Sequence, residues 1–70
     1  MSSRTAVLLA IVNQIQANKL NRNPIDPIAV ARNIASLHPQ SEMAIEEIEQ
    51  VIAGMAAKAG VAVLEHDKAA

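Results

Sequence analysis

The sequence predicts an all-α protein, a three-helix bundle with a short extended C-terminal segment. Apolar residues recur with helical spacing in three stretches, and prolines and capping residues separate these stretches. Only one short β-branched run follows the last stretch. A chain of 70 residues forms one domain at most. We therefore expect a single helical domain over residues 1–70, in which residues 65–70 form a frayed tail.

The first helix is predicted from Thr5 to Leu20, with Ser2 or Ser3 as its N-cap. Its second half has one apolar face, whereas its first half, from Ala6 to Val12, is apolar on every side. Such a helix is normally covered on more than one side. It therefore lies either at the centre of a bundle or against a second protein chain.

The second helix has the clearest start signal in the chain. Asp26 is a good N-cap, and Pro27 occupies the first helical position, where its missing N–H costs nothing. Pro39 ends this helix near Leu37, because the residue before a proline is disfavoured in the helical conformation.

The third helix is predicted to begin at Ser41, as its N-cap, and to end at Gly60. Gly54 lies inside it and costs about 1 kcal/mol relative to alanine, so either another backbone passes close to this residue, which we expect, or the helix is irregular there. The run from Val61 to Leu64 predicts an extended segment. Because the chain has no second such run, this segment either packs as coil or pairs with another chain. A continued helix is the alternative.

Composition excludes several classes of protein. There is no cysteine, which removes disulfides, thiolate zinc sites and thiol nucleophiles and favours a cytoplasmic location. There is no Phe, Tyr or Trp, which excludes base stacking and aromatic cages. No apolar stretch reaches the length of a membrane span, and the run from Ala6 to Val12 is short for a signal peptide.

Residues 26–67 resemble a winged-helix domain in the order of their elements: a helix, a four-residue turn, a second helix, Gly60 and a valine-rich segment. The resemblance implies a small DNA-binding regulator whose recognition helix enters the major groove. That helix here carries carboxylates, which repel phosphate, at Glu42, Glu46, Glu47 and Glu49. Nucleic acid is therefore not the expected partner, unless one basic face forms from Arg4, Lys19, Arg22 and Arg32.

No spacing of residues indicates catalysis or metal binding. The glutamates of the third helix are interpreted as a solvated acidic face. His38 suits a helix C-terminus, and neighbouring residues such as those of Glu65-His66-Asp67 do not preorganise a metal site. We expect no enzyme activity, no cofactor and no metal.

The number of apolar side chains predicts a partner. After Met1 there are 21 large aliphatic side chains, more than three short helices can cover within one chain. The predicted function is a small helical protein–protein interaction module that forms a homodimer, and the alternatives are the DNA-binding regulator or an accessory subunit of a larger complex. The residues predicted for self-association are Val7, Leu9, Val12, Gly54, Ala57 and Val61. The predicted surface for a basic protein partner consists of Glu42, Glu46 and Glu49.

Overall fold

The computed structural model describes residues 3–64, which form three α-helices. Helix α1 spans Ser3–Asn21, α2 spans Pro27–Leu37 and α3 spans Ile45–Ala59. The predicted all-α, three-helix fold is confirmed. Helices α2 and α3 pack most extensively against each other, and α1 contacts both. The predicted tail at residues 65–70, with His66, lies outside the described residues, as do Met1 and Ser2.

Helix α1 begins two residues before the predicted start and ends one residue after the predicted end. Ser3 is helical, so it is not the N-cap, and Ser2 falls outside the described residues. The helix stops at Arg22, whose φ of 56° is left-handed. The side-chain amide of Asn18 donates to the carbonyl oxygens of Asn23 (3.4 Å) and Pro24 (3.0 Å). These bonds turn the chain back towards α2.

Helix α2 begins and ends as predicted. The Asp26 carboxylate accepts from the backbone N–H groups of Ile28 (3.1 Å) and Ala29 (3.3 Å), and Pro27 is the first helical residue. Two orphan donors of the first turn are thereby satisfied. The helix ends at Leu37, one residue before His38 and two before Pro39.

The predicted start of α3 at Ser41 is wrong. The helix begins at Ile45, and the N-cap is Ala44, whose side chain has no oxygen to offer. Ser41 instead forms a tight turn in which its Oγ accepts from the backbone N–H of Met43 at 3.1 Å. Such a turn competes with a helix start, and burial of the Met43 side chain holds the connection extended over the core. Glu42 consequently lies in this connection and not in α3.

The end of α3 at Gly60 is confirmed. Gly60 adopts the left-handed conformation, with φ 81°. Its N–H donates to the carbonyl oxygen of Ala57 (3.3 Å), and the N–H of Val61 donates to that of Ala56 (2.9 Å). This pair of bonds is the Schellman arrangement, and the burial of Val61 over Ala56 supplies its usual apolar contact.

The segment from Val61 to Leu64 is extended as predicted, but the expectation that it finds no partner within its own chain is wrong. The N–H of Ile25 donates to the carbonyl oxygen of Ala62 (2.9 Å), and the N–H of Leu64 donates to that of Ile25 (2.8 Å). Ile25 and Val63 thus form an isolated parallel bridge. On the α2 side the bridge involves Ile25 alone, and a single residue has no sequence pattern that predicts a strand. Within residues 3–64 this bridge is the only β-pairing, so the described chain contains no hairpin that could serve as a wing.

The core lies between the three helices and is entirely apolar. Within residues 3–64 no polar or charged side chain is buried. Nine of the 21 large aliphatic side chains are buried, whereas five keep between 39% and 85% of their surface exposed. These five are Leu9, Leu20, Leu37, Ile45 and Leu64. One chain therefore leaves part of its apolar surface uncovered. No helix within the described residues combines the length and hydropathy needed to cross a bilayer.

Candidate interaction surfaces

The outward face of α1 has an unusual composition for an exposed helix surface. No charged residue occurs between Arg4 and Lys19, a stretch of almost four helical turns. Exposed helix faces normally alternate charges of both signs, and depletion of charge is a mark of the centres of protein interfaces. This face is therefore the first candidate for contact with another protein.

Four exposed side chains, separated by four, three and four positions, form one line along this face. At 100° per residue this spacing keeps them on the side of α1 opposite the buried residues Val7, Ile11 and Ile15. The two ends of the line are 50% and 85% exposed leucines, and the two middle positions are exposed amides. We call this line the α1 strip: Leu9, Asn13, Gln16 and Leu20.

A broad hollow adjoins the C-terminal end of the α1 strip. It has a volume of about 570 Å³ and is lined by Gln16, Lys19, Leu20 and Arg22. The left-handed turn at Arg22 directs the chain away from the helix axis there. Leu20 contributes apolar surface to the lining of this hollow, and Lys19 and Arg22 contribute charged side chains.

The structure divides the residues predicted for self-association into two groups. Val7 and Val61 are 0% and 7% exposed and belong to the core, so their assignment to an association surface is wrong. A charge at Val7 would unfold the domain and could not serve as a test of association. Leu9 is half exposed and Val12, beside the α1 strip, is partly buried.

Gly54 and Ala57 lie on the exposed face of α3. The expectation that another backbone passes close to Gly54 is wrong for the single chain, because a Cβ placed there would meet no atom within 4 Å. The helix is continuous across this position, so Gly54 does not mark an irregularity either.

The predicted acidic surface lies beside an ion pair between Glu47 and a cation from α1. Glu42 and Glu46 are exposed and Glu49 is half-buried. The Arg4 guanidinium donates to the Glu47 carboxylate at 2.9 Å, and Arg4 also lines a hollow of about 260 Å³ with Glu42. Since the side chains of this ion pair are 60% and 42% exposed, it contributes little to stability.

The four cations considered for a basic face do not gather on one surface. Arg4 and Lys19 are fifteen residues apart on α1, which corresponds to about 22 Å along the helix axis. Lys19 and Arg22 do lie together, since both line the hollow at the end of α1 and a second hollow of about 320 Å³ beside Gly60. Arg32 is exposed on α2.

The described residues bring no group of three metal-ligating side chains together. His38 lies at the C-cap of α2, where its backbone N–H donates to the carbonyl oxygens of Ile34 and Ala35. Ser36 is exposed, and the Ser41 hydroxyl accepts a bond within its own turn. The segment Glu65-His66-Asp67 is outside the described range.

Asn13, Gln16 and Leu20 were missed as candidate interaction residues by sequence reasoning. The signal that could have found them is the absence of charge from residue 5 to residue 18. Their polar amides and the position of Leu20 near the helix end made them resemble ordinary surface residues.

Comparisons with known proteins do not assign the chain to a family. No protein-family model matches the sequence, and searches of curated proteins and of solved structures find no similar chain.

Proposed function

We propose that this protein is a small helical protein–protein interaction module that self-associates and performs no catalysis. The observation that carries the proposal is the uncharged outward face of α1, on which Leu20 is 85% exposed. Exposing this much leucine to water is unfavourable by about 25 cal/mol for each Å² of apolar surface, and contact with another chain removes the cost. The face is not a continuous apolar patch, because Asn13 and Gln16 lie between its two leucines, but it is free of charge, and depletion of charge is typical of the centres of protein interfaces.

The alternative of a DNA-binding regulator is weaker, because the basic side chains of the protein are not arranged to contact DNA phosphates. DNA affinity depends on cations that converge on phosphates. Arg4 is paired with Glu47 and lies about 22 Å from Lys19, so two of the four cations are separated by the length of α1. The exposed Glu46 faces solvent on the helix that would enter the groove.

An accessory subunit of a larger complex would use the same uncharged face of α1 to bind a different protein. The acidic residues Glu42, Glu46 and Glu49 then form a secondary surface for a basic partner. This version of the proposal differs from self-association in one measurable respect, because the isolated chain would stay monomeric.

The test is the molar mass of the purified chain over a series of concentrations. Size-exclusion chromatography with light scattering and refractive-index detection is suitable, because the protein lacks the aromatic residues needed for absorbance at 280 nm. We expect a mass that rises from the monomer value of 7.4 kDa towards twice that value as the concentration rises. Because the exposed leucines support only a weak dimer, the series extends to several millimolar, and a mass that stays at the monomer value there would refute self-association.

A further inference from the structure

We propose that the α1 strip binds the same strip of a second copy of the chain, with the two helices antiparallel. This inference rests on the proposed self-association and specifies its surface and geometry. It commits to Leu9, Asn13, Gln16 and Leu20 as the contacting residues.

The first argument is that the α1 strip is complementary to itself. In a two-fold symmetric dimer, if residue i contacts residue j of the second copy, then j contacts i. Leu9 and Leu20 are equally far from the midpoint between residues 14 and 15, and so are Asn13 and Gln16. A two-fold axis at that midpoint places each leucine opposite a leucine and each amide opposite an amide.

These pairings are chemically sensible as well as symmetric. The spacing of four, three and four positions is that of a coiled-coil seam, in which such residues contact the facing helix. The side-chain amides of Asn13 and Gln16 each carry both donors and an acceptor, so the pair can exchange hydrogen bonds across the axis. Because residues 5–18 carry no charge, no ionised group has to lose its water at the centre of the contact, where Asn13 and Gln16 meet the facing helix.

The second argument is the hollow at the end of α1. Under this register, Leu9 of the second copy arrives at the hollow of about 570 Å³ lined by Gln16, Lys19, Leu20 and Arg22. Residues three and four positions apart form the hole that receives a side chain from a facing helix. Gln16, Lys19 and Leu20 have this spacing, and the hollow thus lies where the register requires a place for a leucine.

The third argument concerns the direction of the helices. A parallel pair would bring Lys19 and Arg22 next to the same residues of the second copy, so that four cations would gather at one end. An antiparallel pair places these cations at opposite ends, beside residues 5–12 of the other helix, which carry no charge. The helix dipoles also favour the antiparallel arrangement.

The surface is tested by Leu20→Glu, with Leu37→Glu as the matched control. Leu37 is also an exposed leucine, at 66%, but lies on α2. Sedimentation equilibrium with interference optics gives the dimer dissociation constant of each variant, and circular dichroism shows whether each variant keeps its helices. We expect Leu20→Glu to weaken dimerisation about tenfold or more and Leu37→Glu to leave it unchanged. Equal effects of the two substitutions would overturn the inference.

The direction is tested by disulfide trapping, which is clean because the chain has no cysteine of its own. Leu9→Cys and Leu20→Cys are prepared separately, one with nitrogen-15, mixed and oxidised, and the products are identified by mass spectrometry. If the dimer is antiparallel, disulfides that join a Leu9→Cys chain to a Leu20→Cys chain should exceed the fraction expected from random pairing. Random pairing, or an excess of disulfides between two Leu9→Cys chains, would overturn the antiparallel arrangement.

These outcomes separate the inference from the proposed function. A dimer that persists in Leu20→Glu, or that gives the wrong disulfides, leaves self-association intact and refutes only the surface or the direction. A wild-type chain that remains monomeric at several millimolar refutes both.

Discussion

Replacing Gly54 by alanine should stabilise the domain. The residue lies in the interior of α3 and is exposed, and a Cβ there meets no atom within 4 Å. The added methyl group therefore causes no clash, and the gain is the full difference in helix propensity, about 0.5–1 kcal/mol. In a domain of this size each kcal/mol shifts the melting temperature by about 4–8 °C, so we expect a rise of about 2–8 °C.

The assay is thermal and urea denaturation followed by circular dichroism at 222 nm, since the chain has no tryptophan for fluorescence. The matched control is Gly60→Ala, which adds the same methyl group at a left-handed residue of φ 81°. A Cβ is strained in that conformation, so this variant should lose about 1–2 kcal/mol. The two glycine substitutions should thus have opposite signs.

A lower stability of Gly54→Ala would contradict the expected gain, and its concentration dependence would locate the cause. If the loss grows with protein concentration, a second copy approaches α3 at Gly54, which would make α3 an association surface. If the loss is the same at every concentration, the reasoning from the open space around Gly54 is refuted.

Three further substitutions test the fold, each by urea denaturation. Asp26→Ala removes the acceptor for the first turn of α2 and should cost about 1 kcal/mol; a neutral result would mean that the cap does not operate in solution. Ile52→Ala empties a fully buried position and should cost about 2–5 kcal/mol, with Ile45→Ala, at a 39% exposed position, as the milder control. Arg4→Ala should cost less than about 1 kcal/mol, and less still in high salt, because its ion pair with Glu47 is exposed; a larger, salt-independent loss would point to packing by the arginine stem.

The parts of the fold that depend on local chemistry could be predicted from sequence. The start of α2 follows from the acceptor of Asp26 and the fixed φ of Pro27, and the end of α3 follows from the freedom of Gly60 to adopt a positive φ. Each of these signals acts within a few residues of the chain. The tertiary structure did not need to be known for them to be recognised.

The parts that depend on distant contacts could not be predicted. The bridge joins Ile25 to Val63, which are 38 positions apart in the sequence, and no local pattern marks a single paired residue. The hydroxyl of Ser41 can accept from a backbone N–H group equally well as a helix N-cap or within a turn. Burial of Met43 against the core decides in favour of the turn, and this burial is a property of the assembled helices.

The sequence could identify α1 as the helix that carries the candidate surface, but it could not identify the residues of that surface, because α1 is apolar on all sides in its first half. From Ala6 to Val12 the sequence alone does not show which apolar side chains point inwards, so Val7 and Leu9 were equivalent candidates. The packing resolves this ambiguity: Val7 and Ile11 lie in the core with Ile15, and Leu9 lies on the opposite side of the helix. Leu20 is then placed on the line of Leu9 by helical geometry.

The exposed leucines also limit how strong self-association through the α1 strip can be. Full burial of a leucine contributes about 1.5–3 kcal/mol, and Leu9 and Leu20 are 50% and 85% exposed, so each copy gains roughly 2–4 kcal/mol and the dimer roughly 4–8 kcal/mol. Loss of translational and rotational freedom costs about 4 kcal/mol or more, which offsets most of this gain. The strip by itself therefore predicts a weak, reversible dimer whose population depends on concentration. A much tighter dimer would require further surface, and the exposed face of α3 around Gly54 and Ala57 is where a second contact would be sought.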